Sequence, residues 1–275
     1  MDAPIPLLPD GLFEGLTAFV TGGGTGLGLE VSTRLGALGA NVVCVSRDAG
    51  HHAELLARGR HDGFEVMSAA LDVREPDAIK RVVAEAVDRF GGIDVLINNA
   101  AGNFISPAMA LPPKGFKAVI DIALTGVFYV SREVGRRMRK TGGSIVNISA
   151  PYAFTGKPGV VHSACAKAGV ESMTKTLAAE WASYGIRVNA VSPGPFYSAG
   201  AAERLWPSDD IEEAIRRDIP LGRFGTATEV GELVCFLASP ASPWITGSTL
   251  VVDGGWTLPK PMVEGDVKIR RRRKE

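Results

Sequence analysis

The chain has 275 residues, 45% of them hydrophobic, enough to bury a sizeable core in one α/β unit. Lys+Arg and Asp+Glu both number 30, so no overall basic field favours nucleic acid. Three scattered cysteines, Cys44, Cys165 and Cys235, suit neither a disulfide framework nor a zinc site, and they point to a reducing compartment without a bound metal.

No apolar run reaches the length of a membrane span. Residues 1–12, MDAPIPLLPDGL, lack the basic start and long apolar stretch of a signal peptide, so the cytoplasm is the expected location. One domain is expected over residues 1–275, with a core at about 10–258 and a basic tail at 259–275. The run Arg270, Arg271, Arg272, Arg273, Lys274 and Glu275 reads either as a solvated tail or as an arm near phosphates.

In chain order, short apolar stretches at 16–20, 41–45, 65–71, 95–98, 144–148, 187–191 and 249–252 read as strands. Helical patterns lie between them. Residues 27–38 start a helix directly after a run of glycines. Residues 77–90 carry Ile79, Val82, Val83, Ala86, Val87 and Phe90 at helical spacing; 164–183 do the same with Val170, Met173, Leu177 and Trp181. Strand–helix alternation implies a doubly wound, Rossmann-like α/β fold: a parallel sheet of about seven strands with helices on both faces. Residues 195–220 look irregular, with a short helix near 211–218; they read as a mobile lid or as an ordered surface loop.

The first strand runs into Thr21-Gly22-Gly23-Gly24-Thr25-Gly26-Leu27-Gly28, which opens the first helix. Glycines permit a tight turn and let backbone approach a pyrophosphate, which meets free N–H groups at the helix start. A glycine cluster alone can be a structural turn; strand before and helix after make it a dinucleotide site. The second strand ends in Val45-Ser46-Arg47. Ser46 cannot repel a 2′-phosphate and Arg47 can pair with one, so NADP(H) is expected over NAD unless Arg47 is only a surface residue. Leu71-Asp72-Val73 and Asn98-Asn99-Ala100-Ala101-Gly102 end the third and fourth strands, where ligands of doubly wound sheets bind.

The glycine pattern, residues 98–102, Lys167, Pro193-Gly194 and Asp253-Gly254-Gly255 resemble the short-chain dehydrogenase/reductases, in the right order over about residues 10 to 258. The resemblance implies that Asp72 and Val73 lie at the adenine. It also implies that Asn98, Ala100 and Gly102 run along the cofactor, and that Pro193, Gly194, Pro195 and Phe196 complete its site.

The catalytic positions depart from that family's common pattern. Its Tyr-x-x-x-Lys pair is here Ser163-Ala164-Cys165-Ala166-Lys167, so Lys167 is present and the tyrosine is Ser163. A serine hydroxyl is too weak an acid to replace a phenol unaided. The usual serine position is Ala150, and the usual helix asparagine position is Ala123. Ordinary alcohol or ketone chemistry is therefore not expected.

Another tyrosine is available. Tyr152 follows the fifth strand, fifteen residues before Lys167; read from position alone it serves catalysis or packing. Residues 98–107 (Asn-Asn-Ala-Ala-Gly-Asn-Phe-Ile-Ser-Pro), 163–170 (Ser-Ala-Cys-Ala-Lys-Ala-Gly-Val) and 177–181 (Leu-Ala-Ala-Glu-Trp) are similar to segments of the NADPH-dependent 2,4-dienoyl-CoA reductases. The mitochondrial-type enzymes place their tyrosine as Tyr152 stands here. That resemblance implies hydride transfer to a dienoyl thioester, with Tyr152, Lys167 and Ser163 as the catalytic group, giving a 3-enoyl-CoA in unsaturated fatty acid β-oxidation. It also implies a homotetramer, and an acyl-CoA site using Phe104, Thr125 (where the mitochondrial-type enzymes carry asparagine), Arg74 and Arg204. The alternatives are another enoyl-thioester or carbonyl reductase of the same family, and a non-catalytic NADP-binding protein.

Overall fold

The computed structural model describes residues 8–197 and 209–259. The first half runs β1 (Thr17–Thr21), α1 (Gly26–Ala37), β2 (Asn41–Ser46), α2 (Ala53–Asp62), β3 (Val66–Ala70), α3 (Pro76–Phe90) and β4 (Val95–Asn98). Next come α4 (Pro113–Ile120), a π-turn (Asp121–Thr125), α5 (Gly126–Met138), β5 (Gly143–Ile148), α6 (Tyr152–Thr155) and α7 (Val161–Trp181). The remainder is β6 (Ile186–Pro193), β7 (Phe196–Tyr197), α8 (Asp209–Asp218), β8 (Gly225–Thr226), α9 (Ala227–Ala238) and β9 (Thr249–Val252).

Seven strands form one sheet in the order β3-β2-β1-β4-β5-β6-β9, all parallel. Parallel neighbours need crossovers, and the helices supply them on both faces. One apolar core packs α1 and α9 on the sheet through Leu35, Val42, Ile97 and Val234. The other packs α3, α5 and α7 through Val83, Val134 and Leu177. The order in which strands are added reverses between β1 and β4, so their C-terminal ends open a crevice, the usual ligand position in such sheets.

The expected strands all form. The third is shorter than its apolar run, Val66–Ala70, because Leu71 and Asp72 already turn into the crevice. α7 begins three residues earlier than the pattern indicated, which puts Ser163 on the helix proper. The short helix expected at 211–218 is α8. Arg204 and the basic residues 260–275 lie outside the described residues. No described helix is long and apolar enough to cross a membrane.

A buried polar ladder crosses the middle of the molecule. The Asn98 amide donates to Ser131 Oγ and Asn147 Oδ1, both at 2.8 Å. Asn147 donates to Thr174 Oγ1 at 2.9 Å, and Thr174 donates to the Val170 carbonyl at 2.8 Å. These bonds satisfy the Asn98 and Asn147 NH2 groups and the Thr174 hydroxyl, as low-dielectric burial requires, while Asn98 Oδ1 is buried without a hydrogen-bond partner among the described residues.

Candidate active site

The crevice is a cleft of about 500 Å³ lined by the glycine turn and the ends of β2, β3 and β4. Its floor is closely fitted. A Cβ on Gly28 would lie 2.0 Å from the Gly22 carbonyl oxygen, so α1 starts against the turn only because residue 28 has no side chain. Gly22 and Gly26 take φ of +64° and +52°, the left-handed region. Thr25 caps α1 without a side-chain hydrogen bond, leaving the helix start open to an anion.

β1 and β4 are clamped at this point. Thr21 Oγ1 accepts from the Asn99 and Ala100 backbone N–H groups at 3.0 Å each. The Asn99 amide donates to the carbonyls of Thr21 and Gly22 at 3.1 Å. Asn99 was not singled out from sequence, although it holds the glycine turn in place.

Of the cofactor residues expected from sequence, Gly22, Thr25, Leu27, Ser46, Arg47, Asp72, Val73 and Ala100 line the cleft. Gly24, Gly26 and Gly28 shape the turn beneath it. The Asn98 side chain does not enter the cleft; it joins the buried ladder. Gly194 packs on β9, where a Cβ would stand 2.4 Å from Asp253 Cβ. Pro195 and Phe196 border a smaller depression with Leu221 and Arg223.

At the adenosine end, Arg47 is exposed and makes no hydrogen bond or ion pair among the described residues. Asp72 and Arg74 pair with each other: Arg74 Nε and Nη2 reach the carboxylate at 2.9 and 2.5 Å. The Arg74 hydrogen bonds hold the Asp72 carboxyl below the usual carboxylate range. The two residues assigned to adenine and to CoA thus satisfy one another in the free protein. A glycine cradle, an open helix N-terminus and an unpaired arginine beside Ser46 fit a phosphorylated dinucleotide.

The chemical groups come from α6 and α7. Tyr152 opens α6 and Ser163 lies in the first turn of α7; their hydroxyls are 3.0 Å apart. Burial pushes the Tyr152 phenol above its ordinary value, and the hydrogen bond to Ser163 offsets part of this. Lys167 lies one turn beyond Ser163 on the same face. It is buried, and its Nζ donates to the Ile148 carbonyl at 2.5 Å. Burial pushes the Lys167 amine down to about 8.

The polar groups used elsewhere for carbonyl reduction leave no trace in the packing. Ala123 is buried against Val119 and Ala166, and Ala150 is buried as well. Thr125 ends the π-turn, and Phe104 lies against the His162 ring with centroids 4.5 Å apart.

Lys167 loses its proton within an accessible pH range. Its folded value is lowered, so the charged form is lost as pH rises through about 8. If the ammonium stabilises developing negative charge, kcat falls along that alkaline limb. In Lys167→Arg the limb disappears, because a guanidinium stays protonated. A pH–rate profile of both forms checks this; a limb that persists in the arginine variant belongs to another group.

A family model described as enoyl-(acyl carrier protein) reductase matches residues 22–257. A Bacillus subtilis protein named probable 2,4-dienoyl-CoA reductase [(2E)-enoyl-CoA-producing] is 43% identical over 254 residues, covering 90% of this chain and 99% of that protein. The Danio rerio peroxisomal 2,4-dienoyl-CoA reductase [(3E)-enoyl-CoA-producing] is 41% identical, covering 90% of this chain and 83% of its own length. Among solved structures, the citronellol catabolism dehydrogenase of Pseudomonas aeruginosa superimposes with a TM-score of 0.81 at 39% identity, over 91% of this chain and 98% of that one. With the parallel sheet, the glycine turn and Lys167 in place, the chain belongs to the short-chain dehydrogenase/reductase family and is an oxidoreductase that uses a nicotinamide cofactor.

Proposed function

We propose that this protein reduces 2,4-dienoyl-CoA thioesters with NADPH to 3-enoyl-CoA, a step in the β-oxidation of unsaturated fatty acids. One observation carries the reading: a hydroxyl pair of half-buried Tyr152 and buried Ser163, one helical turn from Lys167, in a site where Ala123 and Ala150 replace carbonyl-reducing groups. The names of the relatives support it. Those names differ in product, (2E) for the Bacillus subtilis relative and (3E) for the Danio rerio one, so the site of protonation is part of the proposal.

NADPH, when bound, supplies a hydride to the δ-carbon of the dienoyl thioester. Tyr152, kept protonated by burial, donates its O–H to the thioester oxygen where negative charge collects. Ser163 orients that phenol. Lys167 carries the balancing charge and holds the nicotinamide ribose. Phe104 and Thr125 border the acyl chain; Arg74 and Arg204 meet the CoA phosphates. Water protonates the α-carbon, which leaves the double bond between carbons 3 and 4. The working form is a cytoplasmic homotetramer.

Turnover of a 2,4-dienoyl-CoA with NADPH, followed by NMR of the product, tests the reading. Robust 3-ketoacyl-CoA reduction without dienoyl turnover would identify a carbonyl reductase instead. NADPH binding without turnover on any thioester would identify a cofactor sensor.

The cofactor choice has its own test. Arg47→Ala is expected to lose roughly 1–3 kcal/mol of NADPH binding, the scale of a charge-assisted hydrogen bond, while NADH binding is little changed. Titration of each cofactor against wild type and variant reads this out. Equal NADH and NADPH affinities in the wild type would remove the 2′-phosphate assignment.

A further inference from the structure

Beneath the adenosine end of the cleft lies a histidine that the reaction does not use. His52 ends the short 3₁₀ turn after β2 (Ala49–His52) and is fully buried. Its Nε2 is 2.7 Å from Ser46 Oγ, and its Nδ1 is 2.7 Å from Ser68 Oγ. Ser46 Oγ also donates to the Asp48 carbonyl oxygen at 2.8 Å. The glycine turn rests on the ring: a Cβ on Gly24 would stand 2.6 Å from His52 Cδ2.

These distances fix the direction of every proton. A carbonyl oxygen can only accept, so the Ser46 hydroxyl proton points to Asp48. Ser46 Oγ is then the acceptor toward His52, and Nε2 must carry the hydrogen. Burial holds the imidazole below the usual histidine range, so the ring is neutral and Nδ1 accepts from the Ser68 hydroxyl. The chain runs one way: Ser68 to His52, His52 to Ser46, Ser46 to Asp48.

We propose that His52 is a positioning residue for cofactor selection, holding Ser46 at the cleft wall as an obligate hydrogen-bond donor to the 2′-phosphate of NADPH. A dianionic phosphate oxygen accepts and never donates. Ser46 can turn its one proton from the Asp48 carbonyl to the phosphate without disturbing the bond it receives from His52. The 2′-hydroxyl of NADH carries its own proton and gains less from a fixed donor. The opposite tautomer would draw the Ser46 proton into the ring and leave an acceptor facing the phosphate. In the free protein the Asp48 carbonyl excludes that state by taking the Ser46 proton, and Ser68 completes the arrangement by donating to Nδ1.

The proposal rests on the NADPH assignment, and the test separates the two. Dissociation constants for NADPH and NADH are measured for wild type, His52→Phe, His52→Gln, Ser46→Ala and the Ser46→Ala/His52→Phe pair. Phenylalanine keeps a planar ring and removes both hydrogen bonds. His52→Phe is expected to weaken NADPH about five- to tenfold and NADH less than twofold. The glutamine amide can still donate to Ser46, so His52→Gln recovers most of the loss. The double variant binds NADPH no more weakly than Ser46→Ala, since both changes remove one interaction. Equal losses for both cofactors in His52→Phe would make the histidine a packing residue and overturn the proposal. A wild type that does not prefer NADPH would instead remove the cofactor assignment itself. If His52→Phe does not fold, Ser68→Ala carries the test: the ring stays but loses the hydroxyl bonded to Nδ1, its hold on Ser46 loosens, and NADPH alone weakens about two- to threefold. An unchanged NADPH to NADH ratio there overturns the proposal.

Discussion

Replacing Tyr152 with phenylalanine is expected to lower kcat for dienoyl-CoA reduction by about 10²–10³, the usual cost of one oxyanion donor. NADPH affinity is expected to stay within a factor of about two, since the phenol acts only on charge that appears in the transition state. The fold should tolerate the change. The ring remains in place, and Ser163, which loses its 3.0 Å partner, can turn to water in the opened site. Lys167→Ala gives the contrast. It removes a buried amine bonded to the Ile148 carbonyl, so catalysis and cofactor binding fall together. Stopped-flow hydride transfer, with NADPH titrations alongside, distinguishes the two patterns. Wild-type hydride transfer in Tyr152→Phe would mean that the tyrosine packs and does not donate.

Among the described glycines, Gly28→Ala is expected to be the most damaging alanine substitution. The added carbon would meet the Gly22 carbonyl oxygen at 2.0 Å, its carbon at 2.8 Å and the Asn99 amide at 2.6 Å. Two of these are backbone atoms of the turn itself, so no side-chain rotation relieves the clash. Overpacking of this kind typically costs about 1–3 kcal/mol, and a backbone clash lies at the upper end. α1 must move away from β1, which carries the helix N-terminus off the pyrophosphate. Loss of NADPH binding and a lowered thermal midpoint are both expected. Gly63→Ala is a useful control, because nothing stands within 4 Å of a Cβ there although φ is +81°. If Gly28→Ala binds NADPH normally, the glycine turn does not seat the cofactor as described.

The strands were legible because Val42, Val43, Cys44 and Val45 and their counterparts are covered on both faces, and that coverage writes itself as continuous apolar runs. The helix α5 was not legible. It contains Gly126 and Gly135, and glycine is a poor helix former. In the folded chain they are flat places: Gly126 faces Val73 and Gly135 faces the Trp181 ring, where a Cβ would come within 2.6 and 2.8 Å. α2 was missed for a related reason, since its buried side is little more than Leu55 and Gly59. In the site, Tyr152, Ser163 and Lys167 could be named from spacing, but the 3.0 Å meeting of two hydroxyls needs α6 folded back on α7. Asn99 and His52 act through partners distant in sequence or through proton direction, neither of which leaves a local pattern. The Asp72–Arg74 pair is hidden differently: the family resemblance gives each residue a separate ligand, and closeness in sequence lets them bind one another.

The buried ladder from Asn98 through Asn147 to Thr174 has a mechanical meaning. A slide of α7 along the sheet by even one residue would strip several buried amides and hydroxyls of their partners at once. At about 1–3 kcal/mol for each orphaned group, such a slide is closed to thermal motion during turnover. β4, β5 and α7 therefore behave as one stiff block, and their amides should exchange with deuterium only on opening of the whole core. Ser163 and Lys167 ride on that block. Their spacing is set by the fold in advance, and whatever yields to admit a substrate has to be found at the rim, where Phe104 and Ile105 stand exposed.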